Sequence, residues 1–289
     1  MIMVSPKKVT APIHPVATVP WPAAPPPLRE GHEIAPPDFV GIGAMRSGTT
    51  WWWSVLKRHP GIFSGGSPDG TSEDIWAFAG KDSAESYVNK EFHFFDQYGR
   101  VETIDPAAYH RYFPRPPGLL SGEWTARYMH DFWVPAMLRG IAPDAKLLVL
   151  LRDPVERFVS GAALIKSFGF ALDSAVCNDQ FSRGLYWQQL ANVFSYFPRD
   201  QVLVLQYEQC AQDFTGQARR TFKFLGLDPS LWQPPRDPES PVGAVTNDTG
   251  IVDTATRAAL TRAYQTDLAR LFRELPALDR SLWPCACDL

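Results

Sequence analysis

Apolar residues along this chain fall into short runs of two kinds, and the alternation of the two predicts a parallel sheet between layers of helix. Phe39 to Ala44 (FVGIGA) and Lys146 to Leu151 (KLLVLL) are nearly unbroken apolar stretches of strand length, the pattern of strands covered on both faces. Val202 to Leu205 reads as another short buried strand, and Glu91 to Phe95 (EFHFF) as a strand in which Glu91 and His93 share a face. Between these runs the spacing changes to three and four. Thr49 to Arg58 predicts a helix ended by His59-Pro60, and Pro154 to about Ile165 another, opened by Asp153 as N-cap, Pro154 at the first helical position and Glu156 at the third. Tyr186, Leu190, Val193, Phe194 and Phe197 line a third helix. Phe214, Ala218, Phe222 and Leu225 line a fourth that stops at Gly226, and Leu260 to Leu275 a last long one. Strands alternating with helices predict an α/β fold, a P-loop-like parallel sheet flanked by helices, in a single domain.

Two stretches fall outside this pattern. Residues 1–37 carry ten prolines with little periodic hydrophobicity and read as a Pro-rich, disordered tail, so the domain is expected over 38–289. Residues 64–89 form a polar insertion with the character of a lid or substrate loop. With 289 residues, 45% hydrophobic content and 18 Phe, the chain has enough apolar material for one sizeable core. A net charge of -3 lacks the basic excess of a general nucleic-acid binder. No apolar run approaches the roughly 20 residues of a membrane span, and the prolines leave no apolar core for a signal peptide. Cys177 and Cys210 are isolated and Cys285 and Cys287 only two apart, which makes neither a metal-ligand spacing nor a disulfide framework; a reducing, cytoplasmic setting and no metal are expected.

The chemistry concentrates where strands end. After Phe39 to Ala44, Gly43 and Gly48 keep the spacing of a phosphate loop, G-x-x-x-x-G-K-[ST], but Thr49 stands where the lysine belongs and Arg46 is the nearby cation. Such a loop, with Arg46, Ser47, Gly48, Thr49 and Thr50, suits one phosphate held by amides and a helix N-terminus, and is poorly equipped for γ-phosphoryl transfer. The run LLVLL ends in Arg152, where an NTPase places a magnesium-binding Asp, and Ser160 follows two helical turns on. A cation and a hydroxyl at a sheet's carboxyl edge suit a second phosphate, so the expected ligand is a nucleotide phosphorylated at two positions.

These segments resemble the sulfotransferases that use 3′-phosphoadenylyl sulfate (PAPS). AMRSGTTWW at Ala44 to Trp52 is similar to the family's 5′-phosphosulfate loop, RDPVERFVS at Arg152 to Ser160 to its 3′-phosphate segment R-D-P-x-x-R-x-x-S, and KEFHFFD at Lys90 to Asp96 to the E-x-H-F-F stretch of the heparan sulfate branch. The resemblance implies PAPS as co-substrate and no metal, Arg46, Ser47, Gly48, Thr49, Thr50, Arg152 and Ser160 as cofactor-binding residues, and Glu91 as general base, with Arg46 and His93 completing the catalytic set. Arg46 stands in place of the family's loop lysine. Trp124, in GEWTARY at Gly122 to Tyr128, replaces a second lysine of the E-K-T-P-x-Y stretch, and residues 241–246 lack the basic loop that many relatives place over the 3′-phosphate. Glu123 and Arg127 are further pocket candidates; Trp51 to Trp53 read most simply as core residues on the first helix, while Tyr186 and Trp187 could touch an acceptor, with helix packing explaining Tyr186 equally well. The expected reaction moves a sulfuryl group to a hydroxyl or amine of a glycan-type or small-molecule acceptor. Two other readings remain at this point: a P-loop small-molecule kinase, and a non-catalytic PAP-binding or interaction module.

Overall fold

Strand polarity and burial decide where the site lies. The computed structural model describes residues 25–63, 90–235 and 250–287. Its strands in chain order are β1 (Glu33–Ile34), β2 (Phe39–Gly43), β3 (Ile62–Phe63), β4 (Pro114–Arg115), β5 (Leu120–Trp124), β6 (Lys146–Leu151) and β7 (Val202–Gln206). The helices are α1 (Thr49–Leu56), α2 (Pro106–His110), α3 (Val134–Ile141), α4 (Pro154–Ser167), α5 (Ser174–Ser182), α6 (Tyr186–Phe194), α7 (Tyr207–Gln212), α8 (Phe214–Leu225) and α9 (Thr254–Glu274). Five strands form one parallel sheet in the order β3-β5-β2-β6-β7, with chain order reversing around β2.

The apolar runs split between two cores because successive side chains leave a strand on opposite faces. Val40, Ile42, Leu147, Val149, Leu151, Val202 and Val204 pack with residues of α3, α4, α6 and α9. Phe39, Leu148, Leu150, Leu203 and Leu205 pack on the other face with α1 and α8. Continuous hydrophobicity in β6 and β7 is therefore the direct signature of a sheet covered on both sides. The predicted caps are realised: Asp153 accepts from the amides of Val155 and Glu156 at 2.8 and 3.1 Å, and Gly226 ends α8 with φ 86°.

Two expectations are corrected and one strand is added. Glu91 to Phe95 is not a strand. Only Lys90 pairs with Trp124, in parallel, after which Glu91 and His93 adopt φ of +57° and +53°, so the backbone turns away from the sheet. Pairing also begins inside the segment read as tail, because Glu33 and Ile34 pair antiparallel with Arg115 and Pro114. β5 went unpredicted because it holds Ser121, Gly122 and Glu123 rather than an apolar run. Gly122 is required there, since a Cβ would come 2.2 Å from the Phe39 carbonyl oxygen. The insertion at 64–89 and the stretch 241–246 lie outside the described residues.

Candidate active site

Parallel strands deliver their carboxyl ends to one edge, and at this edge the segments after β2, β5, β6 and β7 converge. The turn after β2 is closed by Ala44 donating to the Leu150 carbonyl (2.9 Å) and Ser47 to that of Ala44 (3.2 Å). Gly48 takes φ 86°, and a Cβ on it would lie 2.8 Å from the Tyr207 ring, so the turn is moulded against that ring. No side chain caps α1, which leaves its first-turn amides facing outward for an anion. Thr49 is buried and Thr50 half-buried, and Ser47 is fully buried with its hydroxyl beside the Tyr186 phenol. Ser47 therefore shapes the turn from within, and the groups left uncapped are the first-turn amides of α1.

Arg152 follows β6, half-buried, with its guanidinium 5.2 Å from the centre of the Tyr207 ring. Among the described residues no carboxylate pairs with it. Its carbonyl is fixed by the Tyr186 hydroxyl, which donates at 2.8 Å; Tyr186 is thus a positioning residue as well as core. Asp153, next in sequence, is consumed: its carboxylate accepts from the Val155, Glu156 and Cys285 amides. Ser160, buried on α4, accepts from Arg46 Nε and Nη2 at 3.1 and 3.0 Å. The two segments expected to hold phosphates, separate in sequence, therefore meet through Arg46 and Ser160.

Glu91 lies beside this loop through a single residue. Its amide donates to the Trp124 carbonyl at 2.9 Å, while the Trp124 indole donates to the Gly43 carbonyl at 3.2 Å. Glu91 pairs with the buried Lys90, accepts from the Ala126 amide at 3.3 Å, and places Oε2 3.4 Å from His93 Nε2. His93 Nδ1 meets Asp96 at 2.6 Å. Burial pushes the Glu91 carboxyl upward, but Lys90 and His93 outweigh it and hold the group below its ordinary value. Burial likewise pushes His93 down, but the bond to Asp96 and the charges of Glu91, Asp96 and Glu123 raise it. The two groups meet across a turn, where a shared strand face was expected.

Trp124 does not face an acceptor. It is fully buried, and its ring lies so close to Gly41 that a Cβ there would come within 2.1 Å. Glu123 is fully buried as well, and Arg127 bonds Asp131 at 2.8 Å and lies 3.7 Å from Asp96. Trp187 lies against the guanidinium groups of Arg199 and Arg270 at 5.7 and 5.5 Å, a surface stack. Sequence reasoning assigned no part to Lys90, although it opens the quoted KEFHFFD segment, nor to Tyr207, whose place under Gly48 and Arg152 no local pattern announces. Among the described residues no His, Cys, Asp and Glu group could hold a metal, and no helix is long and apolar enough to cross a membrane.

Known proteins resemble this chain in sequence and fold. A mouse heparan sulfate glucosamine 3-O-sulfotransferase 6 is 27% identical over 205 residues, 66% of this chain and 52% of that protein. A mouse heparan sulfate glucosamine 3-O-sulfotransferase 3A1 is 29% identical over 215 residues, 69% of this chain and 48% of that one. The chain thus spans about half the length of the curated relatives it matches. A crystal structure of a sulfotransferase from Alicyclobacillus acidocaldarius superposes with a TM-score of 0.65 at 24% identity, covering 86% of this chain and 99% of that one, which shows the fold. The sulfotransferase family model matches residues 37–234, more than half of the 289, and the chain belongs to the sulfotransferase family.

Proposed function

We propose that this chain transfers a sulfuryl group from PAPS to a hydroxyl or amine of a glycan-type acceptor, with small-molecule acceptors as the second class. The observation that carries this reading is Arg152, a cation at the end of β6 with no carboxylate partner among the described residues, one hydrogen-bonded bridge (Arg46 to Ser160) from an uncapped helix N-terminus. The residues fit a nucleotide with two phosphate groups. The α1 amides, Gly48 and Arg46 would hold the 5′-phosphosulfate, and Arg152 with Ser160 the 3′-phosphate. PAPS, when bound, supplies an activated sulfuryl group. Glu91, kept ionised by Lys90 and His93, takes the acceptor proton as the acceptor oxygen bonds to sulfur and the bond to the bridging phosphate oxygen breaks. Arg46 and the loop amides stabilise the charge left on that oxygen. His93, held by Asp96, orients the Glu91 carboxylate and the acceptor.

The kinase reading loses support from Asp153, whose two oxygens are committed to three backbone amides where a phosphoryl-transfer enzyme would hold magnesium. A glycan acceptor is favoured because the relatives just described are named for heparan sulfate glucosamine. The test is incubation with ³⁵S-labelled PAPS and a panel of heparan sulfate fragments, other glycans, phenols and amines. Label is expected on at least one acceptor, with no transfer from γ-labelled ATP. Phosphate transfer from ATP without sulfuryl transfer from PAPS overturns the proposal.

A further inference from the structure

The backbone from Glu91 to Phe94 carries the two groups on which the proposed proton transfer depends, yet it belongs to no strand or helix. Glu91 and His93 sit at φ of +57° and +53°, a region that non-glycine residues occupy at a cost unless neighbouring structure holds them. Two amides in this turn are held from outside. His93 N–H donates to Thr125 Oγ1 at 3.3 Å, and Phe94 N–H to the Tyr128 hydroxyl at 2.9 Å. Both hydroxyls in turn donate to the same carboxylate. Glu123 Oε1 accepts from Tyr128 at 3.1 Å and from Tyr109 at 2.6 Å, and Oε2 accepts from Thr125.

A hydroxyl has one proton and two lone pairs, whereas an ionised carboxylate only accepts. Burial raises Glu123 to about 7, and in its ionised form above that value the fully buried carboxylate turns the Thr125 and Tyr128 protons inward and their lone pairs toward the amides of His93 and Phe94. An amide side chain in its place would present donors, oblige one hydroxyl to accept, and aim that hydroxyl's proton at a backbone N–H. We propose that Glu123 is a positioning residue: through Thr125 and Tyr128 it sets the direction of two hydrogen bonds that hold the turn bearing Glu91 and His93. This rests on the reading of Glu91 and His93 as the proton-handling pair. Tyr109 provides an internal control for the hydrogen bonds: it donates to the same carboxylate but meets the turn only through its ring, 4.9 Å from Phe94 and 5.0 Å from Phe95, and Tyr109→Phe keeps those ring contacts.

The experiment uses the full chain with PAP bound. Amide hydrogen exchange is followed across residues 90–96 in wild type, Glu123→Gln, Thr125→Val, Thr125→Ser, Tyr128→Phe and Tyr109→Phe, with PAP affinity and turnover on the best acceptor of the panel. Loss of one such bond is expected to speed exchange at His93 in Thr125→Val and at Phe94 in Tyr128→Phe about tenfold, and to lower kcat by a similar factor with PAP affinity unchanged. Thr125→Ser restores both, and Tyr109→Phe stays close to wild type. Should Glu123→Gln fail to fold, the hydroxyl variants decide. Unchanged exchange in both Thr125→Val and Tyr128→Phe, or an equal rise in Tyr109→Phe, overturns the proposal. Normal kcat in Thr125→Val beside an inactive Glu91→Gln also sinks it while sparing the functional reading. An active Glu91→Gln sinks that reading, and exchange still decides the role of Glu123.

Discussion

Arg152→Ala removes the charge that distinguishes a 3′-phosphorylated nucleotide from an ordinary one. Among the described residues its guanidinium contacts the Tyr207 ring and no carboxylate, so the folded protein loses only a cation–π contact of about 0.5–1 kcal/mol, and the site loses its charge. A hydrogen bond to a charged group contributes about 1.5–3 kcal/mol, which corresponds to a loss of PAP affinity of roughly 10- to 150-fold. Titration calorimetry with PAP and with AMP, which lacks the 3′-phosphate, separates the charge from the fold. Wild type should bind PAP far more tightly than AMP, and Arg152→Ala should bind the two nearly alike, with its AMP affinity unchanged. Tyr207→Phe, which keeps the ring, should behave as wild type toward both. Equal losses for PAP and AMP would show that Arg152 supports the loop rather than the 3′-phosphate, and an unchanged PAP affinity would remove it from the site.

Two further outcomes are open to measurement. Gly48→Ala places a Cβ 2.8 Å from the Tyr207 ring at φ 86°, so it should lower stability by about 1–3 kcal/mol in chemical denaturation and weaken PAP and AMP together; wild-type affinity for both would mean that the turn tolerates a side chain. Burial raises the Glu123 carboxyl from 4.5 to about 7, against the bonds from Thr125, Tyr109 and Tyr128 and the charge of His93. A folded value above the unfolded one favours the fold at low pH, so this group's contribution is complete below pH 4.5 and is lost as pH rises through about 7, by about 3 kcal/mol. Denaturation at several pH values should show that fall in wild type and its absence in Glu123→Gln; parallel profiles would refute it.

What was legible in the sequence was local. β6 and the start of α4 were readable because an apolar run, an Asp cap and a Pro at the first helical position are neighbours in the chain, and Asp153 does cap the Val155 and Glu156 amides. The phosphate turn was readable for the same reason, since Gly43, Gly48 and α1 are contiguous. What stayed hidden depends on contacts between distant segments. Ser160 meets Arg46 across 114 positions, and Tyr207 reaches under Gly48 from the far edge of the sheet. EFHFF alternates like a strand, yet two positive φ values turn it; the Glu91 amide completes the Lys90–Trp124 bridge, and pairing goes no further because the His93 and Phe94 amides are taken by Thr125 and Tyr128. Trp124 read as a lost lysine; the ring in fact fills the space against Gly41, and the cation beside Glu91 comes from Lys90.

The identity of the base is the most exposed element of the account. Glu91→Gln keeps the size of the side chain and its bond from the Ala126 amide but removes the proton acceptor. PAP affinity by calorimetry and ³⁵S transfer from PAPS should be measured side by side on wild type, Glu91→Gln and His93→Ala. Retained PAP affinity in Glu91→Gln, with turnover lower by roughly 10²–10⁴-fold and a smaller loss in His93→Ala, is the predicted result. Near wild-type turnover in Glu91→Gln with an inactive His93→Ala would contradict it and assign the proton to His93.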